Sequence, residues 1–159
     1  MTKLSIEVRR AGAADLDEWC RLARAFRQTP ELPGPPEGAL RERLRRLIDT
    51  DDAECFLAFE ADGHATGYAQ QSYRFSAWFG AYVATLEDLF VAPESRRRGV
   101  ATALVGAALA GAETRDCCAV KLDTSEANVE AVRLYERLGF VSGSSHVPDA
   151  RQLSFEKEL

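Results

Sequence analysis

The stretch from Leu89 to Thr102 reads Leu-Phe-Val-Ala-Pro-Glu-Ser-Arg-Arg-Arg-Gly-Val-Ala-Thr, and it limits the fold more tightly than any other. The apolar run from Tyr82 to Val91 predicts a strand. Pro93 ends it, because proline cannot donate to a central ladder. A polar turn follows, then Gly99, then a small-residue helix over Ala101–Ala112. Another strand is expected at Ala119–Leu122. A helix crossing between two strands implies that those strands are parallel.

The rest of the chain supplies antiparallel pieces. Leu4 to Arg9 alternates, with Leu4, Ile6 and Val8 on one face, and reads as a strand. Leu16, Trp19, Leu22, Ala23 and Phe26 have helical spacing, with Asp15 placed to cap the helix. Residues 29 to 38 hold prolines and glycines that exclude regular structure. Leu40, Leu44, Leu47 and Ile48 mark a second helix. Cys55–Glu60 and residues 65–74 form a hairpin about Asp62-Gly63. Val129–Leu138 reads as a helix, and Phe140–Val147 and Gln152–Glu156 as closing strands. The order β-α-α-β-β-β-α-β-α-β-β predicts an α/β fold. Its sheet is mixed and mostly antiparallel, of about six to seven strands, with helices on both faces.

At 159 residues the chain suits a single domain able to bury its own core. No apolar run is long enough to span a bilayer, and the N-terminus becomes charged too early for a signal peptide. A cytoplasmic protein without a membrane partner is expected. The net charge of −5 argues against a nucleic-acid partner. Cys20, Cys55, Cys117 and Cys118, with His64 and His146, match no zinc spacing. All four cysteines read as small core residues, and no metal is expected.

Chemistry enters at the strand–turn–helix junction. The first helical turn presents unpaired N–H groups, and the helix dipole adds partial positive charge. Together they suit a pyrophosphate. Gly99 lets the backbone approach without a Cβ, and Arg96, Arg97 and Arg98 add screened attraction for a polyanion. The motif lacks the Lys-Ser/Thr of a P-loop and the third glycine of a dinucleotide fingerprint. Taken alone, it is equally an ordinary loop-to-helix junction. Downstream, Asn128 stands where a helix begins, Tyr135 lies two turns later near the same face, and Gly139 stops the helix.

These two motifs, in this order and at this distance, resemble the GNAT (Gcn5-related) N-acetyltransferases. The likeness covers roughly residues 53 to 142. Leu86-Glu87-Asp88-Leu89-Phe90-Val91 is similar to the polyamine and thialysine branch, and Asp123-Thr124-Ser125 to aminoglycoside 6′-type enzymes. The resemblance implies acetyl-CoA as co-substrate. It places Leu89, Phe90 and Val91 along the pantetheine arm, and the turn from Arg96 through Gly99, Val100, Ala101 and Thr102 on the pyrophosphate. It also places Asn128 on the cofactor arm and Tyr135 as general acid beside the sulfur. Ala101 departs from a glycine common in the family, which predicts tighter packing against phosphate. The strands at 82–91 and 119–122 are expected to splay, and a homodimer through the C-terminal strands is usual for such proteins.

An alkylamine acceptor with a pKa of about 10.4 arrives protonated, so a base is required. Glu87 is the candidate, and Asp88 is expected to point away from it by strand alternation. Phe75, Trp78, Phe79 and Tyr82 either wall an acceptor pocket or pack in the core. The reading favours a small-molecule primary amine, acetylated directly in a ternary complex. A protein lysine or N-terminal acetyltransferase and a non-catalytic acetyl-CoA-binding module stay open.

Overall fold

Alternation and helical periodicity translate directly into structure in the computed structural model, which describes residues 5–143 and 152–159. The expectations for Leu4, His146 and residues 144–147 fall outside them. The elements are β1 (Glu7–Arg10), α1 (Leu16–Arg27), α2 (Glu37–Asp49), β2 (Ala53–Phe59), β3 (Ala65–Ser76) and β4 (Ala81–Val91). They continue with α3 (Val100–Thr114), β5 (Cys117–Ser125), α4 (Val129–Arg137), β6 (Val141–Gly143) and β7 (Gln152–Glu158). This is the expected order, with short 3₁₀ turns added at Ala13–Asp15 and Pro93–Ser95.

Among the described residues the sheet has seven strands, in the order β1-β2-β3-β4-β5-β7-β6. β1 is antiparallel to β2, and β7 is antiparallel to both β5 and β6. β4 and β5 are parallel, as a helical crossover requires. Their ladder runs from Tyr82↔Cys117 to Leu86↔Leu122.

By packing, the chain divides into two units. One holds Met1–Gln71 with Asp88–Ala108, the other Ser72–Glu87 with Leu109–Leu159. In the first, Leu16, Trp19, Cys20 and Leu22 of α1 join Leu44 of α2, Leu57 and Phe59 of β2, Tyr68 and Phe90 in one apolar cluster. The helix α1 stops where Gln28 turns extended, two residues ahead of Pro30. Asp15 stands at the N-cap of α1, yet its side chain makes no capping bond. Instead its carboxylate grips both guanidinium nitrogens of Arg9 at 2.8 Å and accepts Gly12 N–H at 2.9 Å.

Successive residues of β3 serve opposite faces of the sheet. Tyr68 packs on the rings of Trp19 and Phe26, at 6.4 and 6.3 Å between centroids. Gly67 faces α3, where an added Cβ would lie 3.1 Å from Leu104 and 3.3 Å from Val100. Helices therefore cover both faces in this unit. Gln71, fully buried, donates Nε2–H to the Ala108 carbonyl at 2.8 Å.

In the second unit β5 pairs with β7 from Ala119↔Glu158 to Ser125↔Gln152. Tyr135 of α4 packs on Phe140 and Phe155. Phe75, Trp78, Phe79 and Tyr82 are exposed, Trp78 at 92%, so none of them is a core residue. Phe75 and Tyr82 meet edge to face at 5.6 Å, and Lys121 lies over Phe79. Cys20, Cys55 and Cys117 are buried as expected, whereas Cys118 is only half-buried.

A Cβ at Gly67 would also stand 2.7 Å from the main-chain oxygen of Phe90, which cannot rotate aside. Gly67→Ala is expected to destabilise the protein by about 2 kcal/mol through overpacking, measured by urea unfolding.

Candidate active site

The first part of the site lies in the first unit. The ladder of β4 with β5 is formed as far as Leu86↔Leu122, and the strand β4 itself runs on to Val91. Its end is fastened to β3 by Ala92 N–H on the Thr66 carbonyl at 2.8 Å. Phe90 and Val91 are buried and Leu89 is half-buried.

Beyond the strand, Pro93–Ser95 make a single 3₁₀ turn, closed by Ser95 N–H on Ala92 O at 2.9 Å. Arg97 then takes φ 62° and Gly99 φ 83°. For an arginine this left-handed backbone costs about 1–2 kcal/mol, whereas glycine adopts it freely. No heavy atom lies within 4 Å of where a Gly99 Cβ would stand, so the backbone is open to a ligand there. The first intrahelical bond of α3 is Ala103 N–H to Gly99 O at 3.0 Å. The N–H groups of Val100, Ala101 and Thr102 precede it and have no acceptor within the helix. The turn thus has the donors and the dipole an anion needs.

The three exposed arginines have protein contacts of their own. Arg96 Nε donates to Val91 O at 3.0 Å, and Arg98 lies 3.6 Å from the Glu60 carboxylate. Arg97 also has a partner.

Glu87, Asn128 and Tyr135 lie in the second unit, and none bonds to another among the described residues. Glu87 is exposed and accepts Ser72 Oγ–H at 2.5 Å. Asp88 has different partners, the Tyr68 hydroxyl at 2.9 Å and the Arg27 guanidinium. Asn128 caps α4, its Oδ1 accepting Ala131 N–H at 3.3 Å, and its amide donors stay outside the cap. Gly139, at φ 87°, closes the helix with Phe140 N–H on Tyr135 O at 3.0 Å. That closure holds Tyr135 in a buried site against two phenylalanine rings. Burial raises its pKa from 10.0 to about 12. Its hydroxyl has no hydrogen-bond partner among the described residues.

Sequence reading missed the polar partners. Ser72 on Glu87, Tyr68 and Arg27 on Asp88, and Glu60 beside Arg98 are joined only by folding. Nothing in their local spacing could have paired them.

Residues 16–140 match the model of the acetyltransferase (GNAT) family, a span that runs through both units. The chain belongs to this family. As a GNAT chain it is an N-acetyltransferase, and its relatives are consistent with that. It is 30% identical over 138 residues to the aminoglycoside N(6′)-acetyltransferase type 1 of Salmonella typhimurium strain LT2, covering 85% of this chain and 91% of that protein. It is 36% identical over 89 residues to the streptothricin acetyltransferase of Streptomyces lavendulae, covering 56% of this chain and 45% of that one. Among solved structures, the aminoglycoside N-acetyltransferase AAC(6′)-Iy in complex with CoA superposes with a TM-score of 0.78 at 27% identity, over 91% and 93% of the two chains. The same enzyme has been solved with a bisubstrate analogue, CoA-S-monomethyl-acetylneamine.

Two measurements check this geometry. Gly99→Ala places an L side chain at φ 83°, and it is expected to lose about 1 kcal/mol in denaturant unfolding. The raised pKa of Tyr135 means that the folded state holds the phenol proton more tightly than the unfolded state. Its stabilisation is complete below pH 10.0 and is lost as pH rises to about 12. Wild type should therefore lose more stability than Tyr135→Phe between about pH 9 and about pH 11.5.

Proposed function

We propose that this GNAT chain, acting as one catalytic domain, moves the acetyl group of acetyl-CoA onto a primary amine of a small polycationic molecule, with both substrates bound together. The observation that carries the acceptor class is the 30% identity across 91% of an aminoglycoside N(6′)-acetyltransferase. The bisubstrate analogue bound to AAC(6′)-Iy supports the ternary arrangement.

In this reading Val100, Ala101 and Thr102 donate main-chain N–H groups to the donor's pyrophosphate, Gly99 gives it room, and Arg96, Arg97 and Arg98 neutralise charge. The main chain of Leu89, Phe90 and Val91 pairs with the pantetheine arm, and Asn128 offers its amide to the same arm. Acetyl-CoA supplies an activated thioester. Glu87 accepts the ammonium proton, directly or through water, held in place by Ser72. The freed amine attacks the carbonyl carbon, and N–H groups near Leu89–Val91 stabilise the oxyanion. As the C–S bond breaks, Tyr135 donates to the sulfur. A phenol with a pKa of about 12 stays protonated at neutral pH. It is a weaker acid than a thiol, whose pKa is about 8.5, so its main contribution is the hydrogen bond to the developing thiolate. A homodimer in the cytoplasm completes the reading.

The test is thiol release from acetyl-CoA across aminoglycosides, other polyamines, amino acids and peptides. Turnover with aminoglycosides or polyamines is expected, and turnover with peptides alone overturns the acceptor class. Tyr135→Phe should lower kcat by about 10–100-fold while calorimetric affinity for CoA survives. Glu87→Gln should lower kcat/KM most at neutral pH and least as pH approaches the amine's own pKa.

A further inference from the structure

Glu60 opens the turn between β2 and β3, and both of its main-chain groups are tied down. Its N–H bonds to His64 O at 3.1 Å, and its carbonyl accepts Gly63 N–H at 2.9 Å. The side chain therefore starts from a fixed point. Its Oε1 accepts Ser95 Oγ–H at 3.0 Å and lies 3.6 Å from Arg98. Ser95 is only 2% exposed and sits in the 3₁₀ turn ahead of Arg97 and Gly99. A bond from a buried hydroxyl to a carboxylate is charge-assisted and strong. The ion pair to Arg98 has 45% of the arginine side chain in water and contributes little.

We propose that Glu60 is a positioning residue for the phosphate-binding turn. Through the buried Ser95 hydroxyl it holds the left-handed turn at Arg97–Gly99 in the conformation that presents the α3 N–H groups. This rests on the acetyl-CoA reading of that turn. The sign of the effect separates it from plain electrostatics. A carboxylate beside an anion site repels the anion, so on charge alone its removal would tighten CoA binding. As a positioning group, its removal loosens binding.

The experiment is calorimetric titration of the full chain with CoA at fixed ionic strength, with a thermal melt of every variant. Glu60→Ala and Ser95→Ala should each weaken CoA binding by about 5–10-fold, the two losses reporting one shared bond. The double variant should then be no weaker than either single. Glu60→Gln keeps an acceptor oxygen for Ser95 and drops the charge, so it should bind CoA at least as tightly as wild type. In the acetyl-transfer assay, Glu60→Ala should raise the KM for acetyl-CoA while kcat and the acceptor KM hold, a split that general loosening of the fold would not produce. Equal or tighter CoA binding by Glu60→Ala overturns the proposal. So does a Glu60→Gln as weak as Glu60→Ala. A wild-type chain that takes up no CoA would sink the donor reading and this inference with it, whereas normal wild-type binding with an unaffected Glu60→Ala sinks this inference alone.

Discussion

Everything in the first part of the site depends on how β4 is held after its ladder with β5 ends at Leu86↔Leu122. The end of a strand bends or frays unless neighbouring segments grip it. Here β3 does the gripping. Ala92 N–H is bonded to Thr66 O, and the absence of a side chain at Gly67 lets the Phe90 carbonyl come in close. Phe90 itself is locked among Phe26 and Tyr68. The result is a buried strand end held on one side by β3.

The turn that follows carries two left-handed residues, Arg97 and Gly99. A left-handed arginine is unfavourable in an isolated chain, so the surrounding contacts must over-determine it. Ser95 and Arg96 supply them, one bonded to Glu60 and the other to the carbonyl of Val91. The acidic side chain is thus part of the framework of a cationic turn.

In the second unit the two proposed proton-handling groups occupy opposite environments. Tyr135 is buried between phenylalanine rings, and desolvation keeps its proton on. Glu87 is exposed, with one serine hydroxyl as partner, and so remains available to an incoming ammonium.

Local physics explains what the chain itself disclosed. Periodicity, the prolines at 30 and 93 and the glycines at 63, 99 and 139 act within a few residues, so they gave the element order and both helix-entry motifs before any folding was considered. Asp15 shows the limit. Its position at the head of α1 was legible, but its carboxylate serves Arg9, a choice made between segments. The aromatic residues from Phe75 to Tyr82 show it again, because an apolar side chain near a hairpin can face core or solvent and only packing decides. Glu60 on Ser95, Tyr68 on Asp88 and Ser72 on Glu87 are all contacts of this kind. Hydrogen-bond partners far apart in sequence leave no periodic trace, and only the tertiary structure brings their atoms within reach.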